Sequence, residues 1–165
     1  VLPAESLNYL GDTARVPYGT KSPEVVRQYA HNSAAFLATL GAKALVIACN
    51  TASAVAVESI RQEFNIPVVG VIEPGADVAC QSTQNGRIGV MGTQGTIQSG
   101  AYQKAIELRR SGTTVIGQPC PLLVPLAEEN LVEHAAARLL ASTSSSRTAA
   151  SMPTKRDQSR WLWLR

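Results

Sequence analysis

Ala44-Leu45-Val46-Ile47-Ala48-Cys49-Asn50-Thr51-Ala52-Ser53 joins a short apolar run to a turn of small residues. The run fits a buried strand, and the pattern over 51–64 predicts a helix. Cys49 is thereby placed beyond the end of a strand and at the start of a helix. Unpaired amides at a helix start, with the positive end of the helix dipole, stabilise a thiolate and bind carboxylates. A cysteine there is set up to act as a base or nucleophile on an anionic small molecule. Buried cysteines also serve simply as small core hydrophobes, and local chemistry alone leaves the two uses even.

Outward from this stretch the same alternation continues. Short strands are predicted over 7–10, 44–48, 68–72, 87–91 and 114–117, separated by helical stretches. Ser22 is a good N-cap, Pro23 suits the first helical position, and Glu24 favours the first turn. That helix should stop at Gly41, with Val25, Tyr29, Ala30, Phe36, Leu37 and Leu40 as its apolar face. His31, inside it, reads as a surface or packing residue. The fold class is α/β, a parallel sheet covered by helices on both faces. Ligands of such sheets bind beyond the carboxyl ends of the strands, where Asp12, Tyr18, Cys49 and Asn50 all fall.

Composition narrows the function. Hydrophobic residues make up 45% and charged residues 16% of the 165, enough apolar material for a core. Residues 141–165 hold Arg147, Lys155, Arg156, Arg160 and Arg165 against Asp157, a net +4, so the remainder carries −1 of the +3 total. The globular part therefore has no electrostatic case for nucleic acid. Three widely spaced cysteines argue against a disulfide framework and fit a reducing cytoplasm. No apolar run approaches the ~20 residues that cross a bilayer, so no membrane partner is expected. Gly89-Val90-Met91-Gly92-Thr93-Gln94-Gly95 is glycine-rich, but its spacing is not that of a dinucleotide loop, and it reads as a turn between domains. No metal or cofactor motif is present.

Longer motifs carry a family resemblance. Leu10-Gly11-Asp12-Thr13-Ala14-Arg15-Val16-Pro17-Tyr18-Gly19-Thr20-Lys21-Ser22 resembles the GDTARxPYGxKS signature of glutamate racemases. Cys49-Asn50-Thr51-Ala52-Ser53-Ala54 is similar to that family's CNTASA element, and Pro67-Val68-Val69-Gly70-Val71-Ile72-Glu73-Pro74-Gly75 to its PVVGVIEPG segment. Gly86-Arg87-Ile88-Gly89-Val90 and Gly92-Thr93-Gln94-Gly95-Thr96 resemble the strand and turn that follow. Cys120-Pro121-Leu122-Leu123-Val124-Pro125-Leu126-Ala127-Glu128-Glu129 is similar to CPLxVPLxEE. The resemblance runs from about residue 7 to about residue 134.

The resemblance implies a cofactor-independent enzyme that interconverts L- and D-glutamate for peptidoglycan synthesis. Racemising an amino acid requires two acid/base groups on opposite faces of the α-carbon, and thiols titrate near enough to neutrality to serve. By resemblance Cys49 is one of them, Asp12 and Glu128 are acidic residues that tune the site, and Tyr18, Gly19, Asn50 and Thr51 bind substrate. Loop capping for Asp12 and a solvated helix face for Glu128 are the plain alternatives. The family's DSGxGG turn and GCTHYP motif, with its second cysteine, do not occur here. The expected organisation is a first racemase domain over 1–91 lacking its first strand, a partial second domain over 92–140, and a disordered or out-of-frame tail over 141–165. Such a fragment is expected to be inactive. An aspartate racemase and a truncated, non-catalytic paralogue that binds acidic amino acids are the competing functions. The small-molecule substrate is the partner expected, with a homodimer as the assembly the family resemblance allows.

Overall fold

The structure, a computed structural model, describes residues 4–131, 133–150 and 161–163. After a 3-10 turn (Tyr18–Thr20) come α1 (Pro23–Thr39), β1 (Leu45–Ile47), α2 (Asn50–Glu63), β2 (Val68–Gly70), α3 (Ile72–Ser82) and β3 (Arg87–Gly92). Then follow α4 (Gln94–Gln98), α5 (Ala101–Arg109), β4 (Thr114–Pro119), α6 (Leu123–Glu128), α7 (Ala135–Ala150) and β5 (Trp161–Trp163). The α/β alternation expected from sequence is present, and all the strand pairs described are parallel. β1 pairs with β2, and β3 lies between β4 and β5.

Local chemistry accounts for the helix ends. The Ser22 hydroxyl accepts the Val25 N–H at 3.4 Å, with Pro23 in the first helical position. Gly41, at φ 75°, ends the helix in the left-handed conformation that glycine adopts without strain. The buried stripe of α1 is Val26, Ala30 and Ala34, a four-residue spacing on one face. Phe36 and Leu40, expected on that face, are exposed. Small residues win the position because Ala52, Ala56 and Ile60 of α2 approach closely there, forming one core with Leu45 and Val68.

A second core gathers Ile72, Ala76 and Ala79 of α3, Ile88 and Val90 of β3, and Tyr102, Ala105 and Ile106 of α5. The expected boundary between 91 and 92 falls inside this cluster, which draws residues from both sides of it. Charged clasps join the layers. Arg61 donates from Nε to the Val68 carbonyl at 2.9 Å and makes a two-pronged pair with Glu73. Arg109 pairs with Asp77 across α5 and α3.

Two expectations are corrected. Residues 7–10 form no strand, and Leu7 and Tyr9 are almost fully exposed; a strand needs a neighbour for its amides, and none lies beside this segment among the described residues. Among the described residues the first sheet is covered on one face only: Val46 and Val69 are register partners and stay 71% and 47% exposed, while α1 and α2 both pack on the Leu45 side. Of the stretch from 141, the structure describes residues 141–150 and 161–163. Residues 141–150 continue α7, whose Ser142 and Thr143 hydroxyls bond back to the Leu139 carbonyl of the preceding turn. The backbone of Trp161–Trp163 pairs with the open edge of β3. Residues 151–160 and 164–165 of the expected tail lie outside the described residues.

Candidate active site

The head of α2 organises the site. Cys49 is its N-cap, with extended backbone (φ −83°, ψ 125°) and no cap bond from its side chain. Its carbonyl accepts the Ser53 N–H at 2.8 Å to close the first turn, and the thiol is exposed. Ser53 fixes this helix start to the sheet. Its hydroxyl donates to the Ile47 carbonyl at 2.7 Å and accepts the Val71 N–H at 3.2 Å, tying the ends of β1 and β2 to one side chain.

Thr51 ties the same helix start to the loop after β3. Its hydroxyl lies 2.9 Å from that of Thr93 and 3.2 Å from that of Thr96, and those two are 3.0 Å apart. Thr93 also caps α4 by accepting the Thr96 N–H. The 3-10 turn completes the junction. Gly19 is buried against Thr93 so closely that a Cβ there would sit 2.5 Å from the Thr93 Cβ. A Cβ on Gly95 would meet the Thr51 methyl at 3.3 Å and the Gly19 carbonyl oxygen at 3.4 Å. The stretch read from sequence as a turn between domains is therefore the strand-to-helix junction that packs directly on the Cys49 helix.

Asp12 orders the loop that delivers Tyr18 and Gly19. Its carboxylate accepts from Arg15 Nε at 2.8 Å and from the Tyr18 hydroxyl, while the Arg15 guanidinium lies 4.6 Å above the Tyr29 ring. Burial works to raise the Asp12 carboxyl, but the bonds from Tyr18 and Arg15 and the charge of Arg15 hold it below its ordinary range. Burial, the Asp12 bond and charge, and the nearby Cys49 push the Tyr18 phenol above its own range. Tyr18 is thus a donor to Asp12, and Asp12 a carboxylate engaged by two partners. Asn50 is approached from the opposite side, where the hydroxyl of buried Tyr102 donates to its Oδ1 at 2.8 Å.

The structure thus places Cys49, Asn50, Thr51, Tyr18, Gly19 and Asp12 around one junction. Glu128 is exposed at the last residue of α6, a helix anchored by Leu123 to Met91 and Cys120. Cys80 faces the Ile106 carbonyl from α3, and Cys120 is buried after β4. Thr93, Thr96 and Tyr102 are site-building residues that sequence reasoning missed. The N-cap signature of Thr93 ahead of a helix was the available signal for the first two. Among the described residues no cluster of His, Cys, Asp and Glu could hold a metal ion, and no helix is long and apolar enough to cross a membrane.

A solvent-facing thiol beside helix-start amides, hydroxyls and a side-chain amide is equipped to exchange a proton with a small carboxylate-bearing molecule. Comparison with known proteins points the same way. The chain is 55% identical over 142 residues to a glutamate racemase of Geobacter metallireducens, covering 86% of this chain and 53% of the relative. It is 53% identical over 132 residues to one from Persephonella marina, covering 80% and 51%. A crystal structure of a glutamate racemase isoform from Bacillus anthracis superposes with a TM-score of 0.85 at 38% identity, over 92% of this chain and 57% of that one. A Francisella tularensis glutamate racemase in complex with D-glutamate gives 0.80 at 37% identity, over 87% and 54%. The chain spans about half the length of the curated relatives it matches. The Asp/Glu/Hydantoin racemase family model matches residues 1–149, and the chain belongs to that family.

Proposed function

We propose that this chain forms one wall of a cofactor-independent glutamate racemase site, in a protein that interconverts L- and D-glutamate for peptidoglycan synthesis in the cytoplasm. The observation that carries this reading is the exposed Cys49 thiol at the head of α2, ringed by the Tyr18–Gly19 turn, Asn50 and Thr51. In the reaction, the Cys49 thiolate takes the α-proton from one face of glutamate and becomes a thiol, leaving a carbanion. An acid on the opposite face then supplies a proton to the same carbon. That acid lies outside the Cys49 junction, since Cys80 and Cys120 belong to other parts of the fold.

Asn50 and Thr51 hold the substrate at the helix start, and the Tyr18–Gly19 turn walls the pocket. Asp12 acts through Tyr18 and Arg15, holding that turn in place, rather than by exchanging protons itself. Glu128, exposed at the end of α6, is the acidic residue that tunes the site from that helix.

Circular dichroism of L-glutamate incubated with the protein at the full length of its relatives tests the reading. The signal should decay to that of the racemate, and Cys49→Ala should abolish the decay. Racemisation that survives Cys49→Ala, or a stable signal with the intact protein, would overturn it.

A further inference from the structure

Tyr102 is 1% exposed, in the centre of the second core, yet it carries a hydroxyl. A buried phenol needs a partner for its O–H. Here the partner is not a backbone group of that core but the Oδ1 of Asn50, 52 positions away and adjacent to Cys49. Gly75 leaves the room for this reach, since a Cβ there would lie 3.0 Å from the Tyr102 oxygen. Burial keeps the phenol above its ordinary titration range, so it remains a donor through neutral pH.

An asparagine amide is planar, with an acceptor at one end and donors at the other, and either end can face a given partner. A hydroxyl that donates to Oδ1 settles the choice. We propose that Tyr102 is a positioning residue for the substrate site: its hydrogen bond fixes the rotamer and the acceptor–donor orientation of Asn50 at the head of α2. This rests on Asn50 contacting substrate, as proposed above. The core of α3, β3 and α5 thereby sets the orientation of a side chain in the site of α2, and a change of tyrosine to phenylalanine 52 residues away alters binding without touching the ligand.

The alternative is that Asn50 merely satisfies a structural tyrosine. Titration of the full chain with D-glutamate separates the two, using Tyr102→Phe, Asn50→Ala and the double variant, each checked for cooperative melting. If Tyr102 acts through Asn50, Tyr102→Phe raises Kd roughly 3- to 10-fold. Asn50→Ala raises it at least as much, and the double variant binds no worse than Asn50→Ala. Wild-type Kd in Tyr102→Phe, or single effects that multiply in the double variant, would overturn the proposal. A wild-type protein at the full length of its relatives that does not bind D-glutamate would overturn the site assignment itself, and this inference with it. Should Tyr102→Phe fail to fold, NMR of the wild-type chain decides: a slowly exchanging Tyr102 hydroxyl proton coupled to the Asn50 side chain supports the bond, and a freely rotating Asn50 amide contradicts it.

Discussion

The Thr51 and Thr93 hydroxyls meet at 2.9 Å and join two helix starts that follow different strands. Thr51 is the second residue of α2, two positions after Cys49; Thr93 caps α4 at the end of β3. With Thr96 as the third member, the three hydroxyls form a small closed set in which each lies within hydrogen-bond distance of the other two. The position of the Cys49 helix relative to the second sheet therefore depends on three threonines.

Thr96→Val should cost about 0.5–1.5 kcal/mol, the net worth of a buried hydrogen bond, since the hydroxyl it removes is 1% exposed. Thr51 and Thr93 keep each other as partners, which holds the loss to the low end of that range. Urea unfolding followed by far-ultraviolet circular dichroism measures it. An unchanged midpoint would show that the three hydroxyls do not act as a set.

Gly19→Ala should be worse than its single added methyl suggests. The new Cβ would stand 2.5 Å from the Thr93 Cβ and 2.6 Å from its methyl, and neither can rotate away from an N-cap bond without losing it. Overpacking of this kind costs about 1–3 kcal/mol. The turn carrying Tyr18 should move off α4, so D-glutamate affinity should fall together with the melting temperature.

Asp12 gives a pH signature. Its carboxyl is held below the ordinary range in the folded chain, so the ion contributes stability above the unfolded value. That contribution is present from neutral pH down to about pH 4 and is lost as pH falls through the lower folded value. Melting wild type and Asp12→Asn side by side from pH 7 to pH 2.5 should show a wild-type advantage that shrinks only below about pH 4. An advantage that shrinks between pH 6 and pH 5 would contradict the assignment.

Arg61→Lys keeps the charge and should still destabilise. The guanidinium serves the Val68 carbonyl through Nε and Glu73 through its two-pronged end, and an ammonium cannot occupy both places. Because Arg61 is 34% and Glu73 48% exposed, the expected loss is modest, about 0.5–1 kcal/mol. Thermal melts at low and high salt would show it, with little salt dependence because the carbonyl bond is neutral at one end.

Local signals made much of this architecture legible. The Ser22-Pro23-Glu24 start, the Gly41 stop and the apolar runs at β1 to β4 each state their own structure, and the helix following Cys49 was evident from its small residues. What escaped was tertiary. Which stripe of α1 is buried depends on how closely α2 approaches, so Val26, Ala30 and Ala34 displaced the larger Phe36 and Leu40. The bond between Tyr102 and Asn50 spans 52 positions and has no periodicity to reveal it. Glu128 reads as a site residue by motif alone; the fold shows it exposed at the last residue of α6.

Alkylation of Cys49 in the presence of glutamate tests the central claim most directly. The protein at the full length of its relatives would be treated with iodoacetamide, with and without D-glutamate, and the modification of each cysteine read by peptide mass spectrometry. Cys49 is exposed, Cys80 partly exposed and Cys120 buried, so Cys49 should react first. D-glutamate should slow the labelling of Cys49 in proportion to its occupancy and leave Cys80 unchanged. Equal rates with and without saturating D-glutamate would contradict the claim that Cys49 lines a glutamate site.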